Sequence, residues 1–283
     1  MTIIACTAGL SAQISPDSVK ECARQYSLPE TDSLRLKALD AVLRHYNNWE
    51  TVEMTGKLRA SGLPLNPTVK LYMAKGSEIS VSVRAPFVGE AGRIEICGDT
   101  LTAVNRMKRV YCKESLRGIL SGYPGFISDL QSLLLGRIVV LGSGELSFVN
   151  ATLMEVSASE AATFGENPGW RFEQQGLGEI VSGLSLAYVA TAAGRLSDLE
   201  LNMEVPQKDD DGENGPRAIS VGLRYSYPDS GFDILIVKGK GTLMGEVAML
   251  DFNSIKWKAD RPAPLKLGDR FRQVGIKDFF RSF

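Results

Sequence analysis

The strongest pattern in this chain is a two-residue alternation that begins after Trp49. In the stretch "VEMTGKLRASG" (52–62), apolar or small residues occupy every second position, and charged residues or threonine lie between them. Such alternation predicts a strand with one apolar and one solvent-facing side. It does not say whether the apolar side fills a core or lines a cavity that holds a ligand, so both alternatives stay open.

The same period recurs along most of the chain. It predicts strands over 52–61, 68–74, 79–85, 92–98, 101–106, 109–112, 137–142, 170–175, 184–191, 196–205, 217–227, 231–239, 242–250 and 252–258. The joints between them are short and rich in Gly, Pro and Asn, which is typical of turns. Consecutive strands with short joints pair antiparallel.

Helical periodicity precedes and interrupts the strands. Residues 30–49 predict a helix that carries His45, with Leu36, Leu39 and Leu43 on one face. Two shorter amphipathic helices are expected over 113–122 and 125–137, with Gly136 placed to end the second. The tail "KDFFRSF" is apolar enough to dock on the rest of the protein.

These elements predict a mainly β fold with some α structure. A long antiparallel sheet of short strands tends to curl, so we expect an incomplete barrel, or half-barrel, covered by helices. The expected organisation is a signal-like or lipobox remnant at 1–12, a tether or short helix at 13–30, and a single half-barrel domain over 31–283.

The N-terminal stretch "MTIIACTAGLSA" resembles the tail of a secretory signal. In one interpretation, "IIAC" is a lipobox and Cys6 is the lipidated residue. In the other, a signal peptidase cleaves before Gln13. Both place the natural start upstream of Met1 and the protein in the cell envelope. The third alternative is a cytosolic protein with an apolar N-terminal tip.

Composition argues against several classes of function. The 283 residues carry a net charge of -1 with no basic run, which gives nucleic-acid binding little support. No apolar run is long enough to span a bilayer. The four cysteines form no CxxC pair, and Cys97 and Cys112 can be either cross-strand partners or free thiols. With one histidine and no GxSxG, HExxH or Walker motif, we expect no enzyme, metal or cofactor.

An ordered set of segments resembles a known family. These segments are "NWETVEMTGKLRA", "ISVSVRAPFVGEAGRIEICGDTLTAVNRMKRVYCKESL" and "GYPGFISDLQSLLLGR". Together they are similar to outer-membrane lipoprotein receptors of the LolA/LolB type, and most similar to the Bacteroidetes domain family of unknown function 4292. The resemblance covers about residues 33–150, and the C-terminal half fits only by its strand pattern.

The resemblance implies an incomplete antiparallel barrel with an apolar cavity for acyl chains. In LolB-type receptors an exposed apolar residue in a Pro-x-Gly loop helps to insert cargo into the membrane. The matching residues here are Phe87 and Val88, between Pro86 and Gly89. This chain has two residues where the LolB pattern has one, so either residue can take the role.

The expected function is that of a periplasmic protein or lipoprotein that binds acyl chains, in lipid or lipoprotein transfer to the outer membrane. Expected partners are a lipid or acylated lipoprotein and the outer-membrane surface, with the protein itself a monomer. The alternatives are a binder of another apolar small molecule and an outer-membrane interaction protein with a filled barrel. The cavity candidates are Leu58, Leu71, Val81, Ile96, Leu130, Leu133 and Leu134. The first four can equally belong to a filled core, and for the three helical leucines packing between helix and sheet is favoured over contact with a ligand.

Overall fold

The fold is mostly β, with strands making up 54% of the described residues and few helices among them. It is a computed structural model, and it describes residues 30–60, 66–116, 125–159, 169–174, 177, 184–206, 216–229, 231–240 and 243–281. The predicted remnant at 1–12, the tether at 13–29 and Cys6 lie outside the described residues.

Three helices and one short 3₁₀ helix are described. They are α1 (Glu30–Leu43), α2 (Phe126–Leu134), the 3₁₀ helix Ala151–Leu153 and α3 (Ile276–Arg281). The strands are β1 (Thr51–Ala60), β2 (Thr68–Ala74), β3 (Glu78–Ala85), β4 (Gly89–Cys97), β5 (Thr100–Asn105), β6 (Val110–Ser115), β7 (Val139–Val140), β8 (Gly144–Glu145), β9 (Met154–Ser159), β10 (Gly169–Gln174), β11 (Ser185–Ala190), β12 (Leu196–Pro206), β13 (Pro216–Ser226), β14 (Phe232–Lys240), β15 (Leu243–Trp257) and β16 (Arg272–Gln273).

Fourteen strands form one open, curved sheet. Their order is β16-β6-β5-β4-β3-β2-β1-β15-β14-β13-β12-β11-β10-β9, while β7 and β8 form a separate hairpin. All neighbours pair antiparallel except β16 with β6. Strand β15 pairs with β1, so the second half of the chain continues the sheet that the first half begins. The sheet does not close into a barrel.

Most predicted strands agree with the observed bounds within a few residues. The two strands expected over 242–250 and 252–258 are the single strand β15, which is bent by a bulge opposite Gly56. A Cβ at Gly56 would overlap the backbone of Asp251, so the bulge needs glycine there. The range 137–142 contains only the two-residue strand β7, and β9 was not predicted.

Two helix predictions are wrong in their bounds. Helix α1 ends at Leu43, and His45 lies in the following turn, where its Nε2 is 2.7 Å from the carbonyl oxygen of Ala193. The helix expected over 113–122 does not begin at 113, because β6 continues to Ser115. Residues 117–124 lie outside the described part. Helix α2 forms as expected, and Gly136 follows it with φ +66°.

The main core lies on one face of the sheet. Strand partners in register alternate between the faces, and Val52, Met54, Leu71, Phe172 and Tyr188 all point to the side where the helices pack. We call this the concave face, because the helices and the 135–153 segment lie against it, and we call the other the convex face.

The C-terminal segment passes around the edge of the sheet at β6. On the convex face Arg261 pairs with Glu78 at 2.8 Å, and Arg93 donates to the carbonyl of Ala263 at 2.8 Å. The chain then pairs β16 with β6, and α3 buries Phe279 in a second apolar cluster with Ala103, Val110 and Cys112. By register these three residues share the concave face, so the apolar tail docks as the sequence indicates. Cys97 is exposed, Cys112 is buried, and both are free thiols.

Candidate functional site: a half-exposed concave face and an exposed hairpin edge

Helix α2 covers one end of the concave face, near the turn between β2 and β3. The amide nitrogen of the buried Gln131 donates to the carbonyls of Ala74 (2.7 Å) and Glu78 (2.9 Å), and its oxygen accepts from the backbone of Gly76 (2.8 Å). Tyr225 on β13 donates to the carbonyl of Leu133 at 3.0 Å. These hydrogen bonds attach α2 to the β2–β3 turn and to β13. The helix therefore shields the apolar side chains beneath it from water.

The segment after α2 is fixed by a buried arginine. Arg137 pairs with both oxygens of Glu145 at 3.0 Å, donates to Asn47 and lies over the ring of Tyr46, 5.1 Å from its centre. Tyr46 in turn accepts from the backbone of Ile138 at 2.7 Å. Burial raises the pKa of Tyr46 well above its ordinary value, so the hydroxyl stays neutral. Each of these groups has its partners within the network, so we assign the network a structural role.

The predicted cavity residues separate into two groups. Leu71 and Ile96 are only 2% and 7% exposed and belong to the closely packed core. Leu58 and Val81 are half-buried on the concave face, and the α2 leucines Leu130, Leu133 and Leu134 are half-buried against the core.

A set of half-buried apolar residues that was not predicted adjoins Leu58. Along β1, β15, β14, β13 and β12, the register places Leu58 opposite Leu250, Ile236 opposite Leu223, and Val221 opposite Leu201. Five adjacent strands span four strand spacings, about 19 Å. The two-residue alternation of each strand is visible in the sequence, but the order in which these strands lie next to one another in the sheet is not. We call this set the apolar patch, and it consists of Leu58, Val221, Leu201, Leu223, Ile236 and Leu250.

The β3–β4 turn is the most exposed apolar feature among the described residues. Phe87 is 107% exposed and Val88 is 57% exposed. Pro86 precedes Phe87, whose φ of +66° lies in the left-handed region that normally favours glycine. A bulky side chain is thus held in a disfavoured backbone conformation while it makes no packing contact with the core.

The base of this turn is held by charges on the convex face. Glu90 accepts from Arg93 at 2.6 and 3.0 Å, from Arg106 at 2.8 Å and from Ser82 at 2.9 Å. Burial alone would raise the pKa of Glu90, but these hydrogen bonds outweigh it and hold the pKa below its ordinary value. Because Arg106 follows β5, the network also ties the β3–β4 turn to the β5–β6 turn.

A polar cleft of about 190 Å³ lies on the convex face beneath the C-terminal segment. It is smaller than the roughly 300–1,000 Å³ typical of sites for drug-sized ligands. Its charged groups are largely paired with one another, for example Lys70 with Glu53 at 2.8 Å. We therefore assign it no ligand. The lining residues are Glu53, Lys70, Tyr72, Ser80, Ser82, Arg84, Glu90, Arg93 and Pro262.

The described part of the chain holds no candidate metal site and no candidate membrane-spanning helix. No group of three or more His, Cys, Asp or Glu side chains there is placed to hold a metal ion. Within the same residues, none of the helices has the length and apolar character needed to cross a bilayer.

Three solved structures are similar to this chain along most of its length, at low sequence identity. A LolA superfamily protein from Nitrosomonas europaea is 14% identical, with a TM-score of 0.40 over 83% of this chain and 96% of its own. A domain described as an outer membrane lipoprotein-sorting protein, from Vibrio parahaemolyticus, is 10% identical, with a TM-score of 0.43 over 81% and 93%. An uncharacterized conserved protein from Thermus thermophilus is 10% identical, with a TM-score of 0.32 over 84% and 97%.

No protein-family model matches the chain, and no curated protein does either.

Proposed function

We propose that the protein binds the acyl chains of a lipid or an acylated lipoprotein on the concave face of its sheet. The observation that carries this proposal is the apolar patch, whose six side chains all remain half-buried. Three of them, Leu201, Leu223 and Leu250, also pack against the core. Each buried methylene group contributes about 0.8 kcal/mol, so an acyl chain lying along such a surface gains substantial free energy without any chemistry. The resemblance of residues 33–150 to LolB-type receptors supports the same ligand class.

We place this activity in the cell envelope, in transfer of lipid or lipoprotein to the outer membrane. The support is the signal-like stretch before Gln13, whose two interpretations, lipidation at Cys6 and cleavage before Gln13, both lead to export. In this proposal Phe87 or Val88 contacts the membrane or the acylated cargo, because both are exposed at the tip of a short turn.

The concave-face proposal is tested with a fluorescent fatty acid such as parinaric acid. Replacing Leu250 with Trp fills part of the apolar patch, and we expect it to weaken probe binding at least about tenfold, the equivalent of roughly two methylene groups. Met249→Trp is the matched control, because Met249 is the preceding residue on β15 and points to the convex face. It should leave the affinity for the probe unchanged.

Two results would contradict the proposal. One is the absence of saturable probe binding by the unaltered protein. The other is an equal effect of Leu250→Trp and Met249→Trp, which would mean that the probe does not lie on the concave face. The melting temperatures of both variants are measured in parallel, because overpacking of a filled core typically costs about 1–3 kcal/mol.

A further inference from the structure

The β5–β6 turn lies beside the β3–β4 turn and resembles it in character. Strands β4 and β5 are neighbours, and the backbone of Arg106 donates to the carbonyl of Ala91 at 2.8 Å. Since β3 to β6 are consecutive in the sheet, the centres of the two turns are about two strand spacings, or roughly 10 Å, apart. The β5–β6 turn exposes Met107 at 64%. We call the two turns, residues 86–88 and 106–109, the hairpin edge.

Positive charge accompanies the exposed apolar side chains of the hairpin edge. Lys108 and Arg109 are exposed beside Met107, and Arg272 is brought to the same place because its backbone donates to the carbonyl of Arg109 at 3.0 Å. Within the described part of the chain, none of these three cations lies within salt-bridge distance of a carboxylate.

The nearest acidic group on these strands is already engaged. Glu90 holds Arg93 and Arg106 through its two oxygens, at 2.6 and 2.8 Å, and is mostly buried. Its negative charge is therefore offset by its own partners. The hairpin edge presents apolar tips together with three cations that form no ion pair within the described residues. The exposed carboxylate of Asp269 lies close by in sequence, but Arg270 and Arg272 flank it, so cations outnumber it.

We infer that the hairpin edge docks on the surface of an anionic phospholipid membrane. Exposed Phe and Met side chains gain free energy by entering the apolar boundary of a bilayer, while Lys and Arg beside them are attracted to acidic headgroups. This arrangement uses Met107, Lys108, Arg109 and Arg272, in addition to the Phe87 turn. It rests on the proposed function, since a carrier of acyl chains must deliver its cargo at a membrane.

The test is co-sedimentation with vesicles of phosphatidylcholine alone or with about one third phosphatidylglycerol. The unaltered protein should prefer the anionic vesicles at low salt. The triple variant Lys108→Gln, Arg109→Gln, Arg272→Gln should lose about 100-fold in partition coefficient, given about fivefold for each cation near an anionic surface. Raising the ionic strength to 0.5 M should remove the preference, because the attraction of exposed charges is screened.

A matched control removes three cations from the opposite ends of the strands. Lys75, Lys256 and Lys258 are exposed there, near the start of β1, and they also have no carboxylate partner within the described residues. Their Gln variants should keep the preference for anionic vesicles. Equal losses in the two triple variants, or an unchanged partition in the first, would overturn the inference.

The outcome is independent of the ligand experiment. Parinaric acid binding should be unaffected in the hairpin-edge triple variant, because its three residues lie outside the apolar patch. A protein that binds the probe but shows no preference for anionic vesicles refutes the docking inference alone. A protein that prefers anionic vesicles but never binds the probe refutes the proposed function alone.

Discussion

Replacing Phe87 with glycine separates the structural role of this residue from its role at a surface. Phe87 adopts φ +66°, a region that costs an L-residue roughly 1–2 kcal/mol and costs glycine almost nothing. The greater freedom of glycine in the unfolded chain offsets about 0.5–1 kcal/mol of this gain. Since the side chain is fully exposed, no buried contact is lost. We expect the free energy of unfolding to stay the same or to rise by up to about 1 kcal/mol.

The expected effect on membrane association has the opposite sign. A phenylalanine side chain that enters an apolar environment contributes about 1.5–3 kcal/mol, so Phe87→Gly should lower the vesicle partition coefficient roughly 10- to 150-fold. Thermal unfolding and vesicle co-sedimentation are measured on the same preparation. Val149→Ala is the control. Val149 is 89% exposed but precedes β9, the strand at the far end of the strand order. It should change neither quantity.

Two results would refute the reasoning about Phe87. A fall in melting temperature of 5 °C or more would show that the side chain packs against the protein, since about 1 kcal/mol corresponds to 2–4 °C for a domain of this size. Unchanged vesicle association with unchanged stability would show that an exposed side chain in a disfavoured conformation serves no membrane contact.

Two further predictions concern the scaffold. Because the pKa of Glu90 is held below its ordinary value, its charge stabilises the fold at pH values above the ordinary glutamate pKa of about 4.3, and this contribution is lost as the pH falls through the lowered pKa. Glu90→Gln should therefore lower the melting temperature at pH 7 and flatten its fall between pH 5 and pH 3, and parallel curves for the two proteins would contradict this. Gly194→Ala should destabilise the protein by about 2 kcal/mol or more in urea unfolding, because φ is +85° and a Cβ would overlap the backbone of Ala41 in α1. Gly268→Ala, which has open space around it, is the control, and equal effects of the two would refute a close approach of α1.

The sequence alone determined the elements and the face to which each side chain points. A period of two is a local property, so the approximate positions of β1 to β6 and the turn that exposes Phe87 between Pro86 and Gly89 followed from residues close together in the chain. The helix α2 and its termination at Gly136 followed in the same way. Strand β9 was not predicted, although Met154–Ser159 alternate apolar and polar residues as the other strands do. The bulge in β15 was not predicted because it has no local signature that distinguishes it from two separate strands.

Only the tertiary structure decided which apolar residues are covered. Leu58 and Leu71 have the same alternation, yet Leu71 lies in the packed core and Leu58 is half-buried, since α2 reaches one end of the concave face and not the other. Three contacts join residues more than 150 positions apart in the chain. They are the pairing of β15 with β1, the pairing of Leu250 with Leu58, and the hydrogen bond between the backbones of Arg272 and Arg109. Such contacts depend on strand order and register, which alternation along a single strand does not encode.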